Sequence, residues 1–154
     1  AGLGRRGHHR PARAGAVVSA PILFDDFKPG ARMGETSLVY GAELAGQWER
    51  IFGASSEAAD QAADLAAKGA SIATVMMMRA YMSIVSPRPP GNVHARQHLV
   101  LDDVPVRHER VRVEISCVGK ELRRGRRYVD LEVVGTGEGG RPLYRGLMNL
   151  IWAA

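Results

Sequence analysis

The sequence predicts an α+β fold in which an antiparallel β-sheet wraps around one long central helix. The helix is predicted over residues 70–85, where apolar residues recur at spacings of three and four without a proline. Four segments of strand-like composition follow this helix and one precedes it. A helix that is apolar on most faces must be enclosed, so we expect the sheet or a second subunit to cover it.

The other elements follow from local composition. Gly69 is expected to separate the central helix from an alanine-rich surface helix, because glycine disfavours a helix interior. Pro87 lies just beyond the central helix, where a residue that cannot donate a hydrogen bond ends it. Before the central helix we predict an entry segment, a strand, a short helix and the surface helix, over residues 21–30, 32–40, 43–52 and 57–68. After it we predict strands over residues 94–101, 109–118, 127–134 and 143–152.

Much of the positive charge lies at the N-terminus. The 154 residues include 21 basic and 16 acidic ones, and four of the arginines fall within the first 20 residues. Residues 1–20 are therefore expected to form a flexible basic tail, and residues 21–154 a single domain. Without these four arginines, 17 basic residues face 16 acidic ones. A body this close to neutral argues against nucleic-acid binding as the main task.

Other classes are excluded by what the sequence lacks. Cys117 is the single cysteine, so an internal disulfide is impossible, and no metal-ligand spacing surrounds it. The central helix carries Arg79 at its middle and is a poor membrane span. The first 20 residues lack the apolar run of a signal peptide. We therefore expect a cytoplasmic protein with no metal, no cofactor and no membrane contact.

Short motifs in a consistent order connect the sequence to a known family. They are Phe24-Asp-Asp-Phe-Lys-Pro-Gly30, Ile72-Ala73, Val104-Pro105-Val106 and Gly146-Leu-Met-Asn-Leu-Ile-Trp152. Together, across residues 21–153, they resemble the MaoC-like (R)-specific enoyl-CoA hydratases and dehydratases. The resemblance implies a hot-dog fold, in which the antiparallel sheet wraps around the central helix.

The resemblance also implies a chemistry. Members of this family add water across an enoyl thioester, or remove it, with an aspartate and a histidine that share one water. A backbone N–H at the start of the central helix stabilises the enolate. In this sequence Ala54 and Ala59 stand at the aspartate and histidine positions, and Thr74 and Val75 stand where the family has His-Gly. The usual dyad is therefore missing.

Four residues are alternative catalytic candidates. Glu57 and Asp60 lie close to the missing dyad, and a carboxylate there would suit a hot-dog thioesterase. His94 and His98 alternate with Arg96, so we predict that all three share one face of a strand. Asp102 or Asp103 would then orient a histidine. The competing interpretations are helix caps and surface charges for the two acids, and a polar strand face for the histidines.

The central helix supplies the predicted substrate-binding residues. The helix would line an acyl tunnel through Ile72, Thr74, Val75, Met76 and Arg79. Methionines are flexible fillers that suit either such a tunnel or an ordinary core. Arg79 needs a partner, for which a subunit interface or a thioester phosphate are options. A hairpin turn is predicted to carry a basic cluster of five residues: Lys120, Arg123, Arg124, Arg126 and Arg127. This cluster is either solvated or a docking point for cofactor phosphates or an acidic carrier protein.

These observations predict a MaoC-like protein that binds acyl-CoA or an acyl-carrier thioester and is diverged or impaired as a hydro-lyase. The alternatives are a hot-dog acyl-CoA thioesterase and a non-catalytic acyl-binding subunit of a hetero-oligomeric dehydratase. We expect a homodimer, or a heterodimer with a paralogue, joined through edge strands and the central helices.

Overall fold

The computed structural model describes residues 19–53 and 61–154, with only the backbone described for 61–65. Nearly all of the predicted tail, Ala54, Ala59 and the candidates Glu57 and Asp60 lie outside the described residues. The helices and strands are β1 (Arg32–Val39), α1 (Ala42–Phe52), α2 (Gln61–Ile84), β2 (Val93–Leu101), β3 (Arg110–Arg123), β4 (Arg126–Thr136) and β5 (Pro142–Trp152). Short 3-10 turns occupy Phe24–Asp26 and Glu138–Gly140.

The five strands form one sheet in the order β1-β3-β4-β5-β2, and every neighbouring pair is antiparallel. The pairs β3–β4 and β4–β5 are consecutive in sequence and need only short turns. β1 and β2 are the two edge strands. The predicted α+β architecture, with one strand before the helices and four after them, is confirmed.

The prediction that Gly69 separates two helices is wrong. α2 runs without a break from Gln61 to Ile84. Gly69 is buried inside this helix, and a Cβ built on it would lie 2.5 Å from the Cβ of Val104. Glycine is therefore needed here for the close approach of the loop after β2, although it costs about 1 kcal/mol in helix propensity.

α2 packs against one face of the sheet and forms the centre of the core. The sulfur of Met77 packs so closely on Gly146 of β5 that a Cβ built on this glycine would lie 2.5 Å from the sulfur. The side chains of α2 that face the sheet are almost completely buried: Ile72, Ala73, Met76, Met77 and Ala80. Burial of each large apolar side chain contributes roughly 1.5–3 kcal/mol.

The side of α2 that faces away from the sheet is exposed in the single chain. Met82 is 53% exposed, Val75 is 38% exposed, and Arg79 lies in solvent between them. Cover of this side by a second subunit, the other option that the sequence analysis gave, stays a prediction. The sheet covers one side of the helix, and α1 lies along part of the other.

β3 and β4 are longer than the sequence indicates. β3 continues to Arg123 and β4 begins at Arg126, so the turn contains only Arg124 and Gly125. The predicted turn over residues 119–125 is therefore mostly strand. Both turn residues have positive φ, 51° and 73°, as the tightest hairpin turns require.

Candidate functional site

An apolar groove with a volume of about 440 Å³ lies between α1 and α2. The α2 wall consists of Ser71, Ile72, Thr74 and Val75. The α1 wall consists of Leu44, Gln47, Trp48, Ile51 and Phe52. Ligand pockets are typically a few hundred Å³ in volume and mostly apolar, so this groove is the candidate site.

Only part of the α1 wall is buried. Leu44 is 5% exposed and packs into the core, whereas Ile51 and Phe52 are 73% and 66% exposed. The rings of Trp48 and Phe52 lie 5.1 Å apart. Two large, solvent-exposed apolar side chains at the mouth of a groove are typical of a ligand-binding or protein-binding surface.

Lys68 fixes the groove at one end. Its Nζ donates a hydrogen bond of 3.0 Å to Glu49 of α1 and lies 4.8 Å from the centre of the Trp48 ring. The hydrogen bond from Lys68, with the positive charge of that residue, lowers the pKa of Glu49. These contacts tie α2 to α1 and orient the indole.

The structure separates the five predicted substrate-binding residues. Thr74 and Val75 line the groove with accessible surface, and Ile72, which is 1% exposed, forms part of its floor. Met76 is completely buried in the core, so it does not face the groove. Arg79 donates a hydrogen bond of 3.1 Å to Oε1 of Gln47, a groove residue, and otherwise lies in solvent. The sequence missed the part that α1 plays, although Trp48 and Phe52 stand four residues apart on one helix face.

The helix start implied by the family resemblance is not at Thr74 and Val75. α2 is helical from Gln61 onward, so these two residues lie three turns inside the helix. Backbone N–H groups inside an α-helix donate to the carbonyl four residues earlier. The Thr74 hydroxyl also donates internally, to the Ala70 carbonyl at 2.9 Å. Neither residue therefore offers a free backbone donor to a thioester oxygen.

A β-bulge in β2 separates the two candidate histidines. His94 lies opposite Leu150 of β5 and Arg96 opposite Asn149, so Ala95 is an extra residue. One extra residue reverses the alternation of side chains along a strand. The prediction that residues 94, 96 and 98 share one face is therefore wrong.

The two imidazoles point to opposite sides of the sheet. His94 lies on the α2 side, with its ring 6.4 Å from that of Tyr81, and His98 lies on the outer side. Both are exposed, and neither forms a hydrogen bond with a carboxylate in the described part of the chain. Asp103 is bonded to Arg141 instead. A catalytic role for either histidine remains a prediction.

A buried carboxylate that the sequence did not reveal joins two loops at one end of the sheet. Glu109 is 7% exposed, and the Arg141 guanidinium donates to its two oxygens at 2.8 and 2.7 Å. The backbone N–H groups of Val106 and Glu138 donate at 2.8 and 3.0 Å. Burial raises the pKa of Glu109, but these hydrogen bonds outweigh it and lower the pKa. Four hydrogen bonds saturate the carboxylate, so its role is structural.

The described ranges, 19–53 and 61–154, hold no group of three or more His, Cys, Asp or Glu side chains that would bind a metal ion. Within the same ranges neither helix has the length and hydropathy needed to cross a membrane. The thiol of Cys117 is buried, and burial raises its pKa. The groove between α1 and α2 therefore stays the candidate functional site.

The fold closely matches several solved structures. The R-hydratase PhaJ1 from Pseudomonas aeruginosa has a TM-score of 0.67 at 14% identity, with 86% of each chain covered. A MaoC-like dehydratase from Rhodospirillum rubrum has a TM-score of 0.65 at 15% identity, covering 86% of this chain and 98% of that one. The HadBC (3R-hydroxyacyl-ACP dehydratase) complex from Mycobacterium tuberculosis scores 0.57 at 15% identity, covering 75% and 90%.

These likenesses establish the fold, since identities of 14–15% carry no further assignment. No family model matches the sequence. No curated protein matches it at the level of sequence either. The five-stranded antiparallel sheet and its long helix thus form the hot-dog fold of the MaoC-like dehydratases and (R)-hydratases.

Proposed function

We propose that this chain is a diverged MaoC-like protein that binds an acyl thioester, with the acyl chain in the groove between α1 and α2. The observation that carries the proposal is the groove itself. It is apolar, open to solvent, and formed by a helix that the sequence marked as the substrate-binding element. Ile72, Thr74 and Val75 are the proposed contacts of α2, and Trp48 and Phe52 those of α1.

The groove has the capacity for a short or medium acyl chain. Its volume of about 440 Å³ falls in the usual range for small-molecule sites. Each buried methylene contributes roughly 0.8 kcal/mol, so a six-carbon chain would gain about 4 kcal/mol of transfer free energy before ordering costs. An acyl chain is thus bound by burial alone, without a charged partner in the groove.

Arg79 is the proposed contact for the polar part of the thioester. Its guanidinium is held at the groove by Gln47 and retains donors that face solvent. In the described residues no carboxylate lies within 4 Å of it. A guanidinium at the edge of an apolar groove suits a phosphate-bearing carrier of the acyl group. Met76, which faces the core, is left out of this proposal.

The chemistry of the groove supports a protein that binds but has lost hydration activity. Among the described residues, none of the nine that line the groove has a side chain that exchanges a proton near neutral pH. Alanines replace the family's dyad at positions 54 and 59, and Thr74 lies too deep in α2 to supply a free backbone donor. Such a chain would act as an impaired hydro-lyase or as the acyl-binding subunit beside an active paralogue.

A dimer through β2 is the proposed assembly. β2 is a nine-residue edge strand whose second edge is not paired within the described residues. Val93, Val100 and Leu101 on it are 50%, 48% and 38% exposed. Edge strands with exposed aliphatic residues are typical pairing sites. A second copy, or a paralogue, would extend the sheet antiparallel to β2.

Two measurements with purified protein test this function. Calorimetric titration with hexanoyl-CoA and with CoA should show saturable binding that the acyl chain strengthens at least tenfold. Incubation with crotonyl-CoA should leave the enoyl absorbance unchanged. Equal affinities for the two ligands would overturn the groove assignment. Rapid loss of the enoyl absorbance would overturn the impaired state, and release of free thiol would indicate a thioesterase instead.

A further inference from the structure

The hairpin between β3 and β4 presents a rigid cluster of arginines. We call residues 122–127 the arginine hairpin; it contains Arg123, Arg124, Arg126 and Arg127, all exposed. Arg123 and Arg126 face each other in the last pair of the β3–β4 ladder. The two-residue turn between them is fixed by positive φ angles. The charges are therefore held together by the backbone rather than spread over a loose loop.

These charges are not neutralised by the domain. None of the four arginines has a carboxylate within 4 Å among the described residues. The guanidinium of Arg123 lies 4.7 Å from the ring of Tyr128, and Arg127 donates to the Ala153 carbonyl at 3.3 Å. Glu121 shares a cleft on the outer sheet face with Arg123 and Arg96 but forms no ion pair with either. The surface of the hairpin therefore has a strongly positive electrostatic potential.

One face of the hairpin also carries an exposed apolar side chain. Leu122, opposite Arg127, is 68% exposed, among the most exposed large apolar side chains described. A single-stranded nucleic-acid surface would instead offer aromatic rings for bases to stack on, and Tyr128 is already covered by Arg123. Leu122 shares its face of the hairpin with Arg127, whereas Arg123 and Arg126 lie on the opposite face, so the two sets meet at the end of the hairpin. An acidic protein surface with an apolar residue that receives this end would contact the arginines and the leucine together.

We infer that the arginine hairpin is the docking surface for an acidic carrier protein that brings the acyl thioester, an inference that rests on the proposed function. The substrate would then be carrier-borne rather than a free coenzyme thioester. Charge attraction would speed the encounter and orient the carrier, while Leu122 would supply the apolar contact.

The position of the hairpin implies delivery to the partner's groove. The hairpin lies at the end of the sheet where β2 begins. The groove lies near the opposite end, because Val104, which follows β2, packs on Gly69 of α2 beside the groove. Nine residues of strand separate these ends by about 30 Å. If two β2 strands pair antiparallel, the hairpin of one protomer lies at the same end as the groove of the other.

The test uses an apo acyl carrier protein, which has no acyl arm, so that docking is measured without the groove. Biolayer interferometry compares the wild type with the triple variant R123Q/R124Q/R126Q and with a matched variant, R110Q/R112Q/R145Q, that loses three exposed arginines elsewhere. The hairpin variant should bind at least tenfold more weakly and with a shallower salt dependence. The matched variant should stay within about twofold of the wild type, and Leu122→Ala should also weaken binding.

Three outcomes would overturn the inference: no binding of the carrier to the wild type, equal losses in the two triple variants, or wild-type binding of a double-stranded oligonucleotide in place of the carrier. Hexanoyl-CoA binding should be unchanged in the hairpin variant. If the wild type binds the carrier but does not bind hexanoyl-CoA, the groove proposal is refuted and the docking surface is not.

Discussion

Val104 packs directly onto the backbone of Gly69 in the middle of α2, where a Cβ on residue 69 would lie 2.5 Å from the Cβ of Val104. Gly69→Ala should therefore destabilise the domain by about 1–2 kcal/mol, because the clash exceeds the gain of about 1 kcal/mol in helix propensity. Urea denaturation measures the change in the free energy of unfolding.

Gly46 in α1 provides the matched control. A Cβ there would meet only the end of the Arg50 side chain at 3.6 Å, an ordinary contact. Gly46→Ala should stabilise the domain by about 0.5–1 kcal/mol. If both substitutions change stability in the same direction, the close packing at Gly69 is not what selects glycine.

The buried pair of Glu109 and Arg141 makes stability depend on acid pH. The pKa of Glu109 is lower in the fold than in the unfolded chain, where it is about 4.3. The ionised carboxylate thus stabilises the fold above that pH, and the contribution is lost as the pH falls through the folded-state pKa. Glu109→Gln should cost about 3 kcal/mol at pH 7, and the deficit should shrink below about pH 4.

Glu132, whose ion pair with Arg145 spans 3.3 Å on the outer sheet face, is the control for this experiment. Its replacement by Gln should change the free energy of unfolding by no more than about 0.5 kcal/mol. Denaturant titrations of both variants and the wild type at pH 7 and at about pH 3 check the prediction. A deficit of Glu109→Gln that grows as the pH falls would contradict the assignment.

The exposed edge of β2 predicts the oligomeric state. The double variant V100K/L101K places two charges on this edge and should convert the dimer to a monomer in size-exclusion chromatography with light scattering. The variant V39K/V118K adds the same charge at exposed valines of β1 and β3 and should remain dimeric. A monomeric wild type, or equal dissociation of both variants, would rule out the β2 interface.

The sequence predicted the order of elements because each has a local signal. The spacing of Ile72, Met76 and Ala80 marks the buried face of α2, and the alternation of Val111, Val113 and Ile115 marks β3. These signals depend only on neighbouring residues. They were enough for the α+β architecture and for the antiparallel run of strands.

Features that depend on distant contacts were not predictable in this way. Gly69 has the local signal of a helix end, and only Val104, 35 positions later, explains its place inside α2. The extra residue Ala95 has no sequence signature, so His94 and His98 were assigned to the same face. The four hydrogen bonds to Glu109 come from Val106, Glu138 and Arg141, which lie in two separate loops. Tertiary packing decides each of these cases.

The acyl groove is tested most directly by the fluorescence of Trp48, which lines it, while Trp152 is buried in the core. Hexanoyl-CoA should change the emission saturably, CoA should not, and Trp48→Phe should abolish the change. Val75→Asp should weaken hexanoyl-CoA binding more than tenfold, because a charge in the groove wall opposes an apolar chain. Val118→Asp, at a similarly exposed valine of β3, should bind normally. Equal responses to hexanoyl-CoA and CoA, or full affinity in Val75→Asp, would contradict the account.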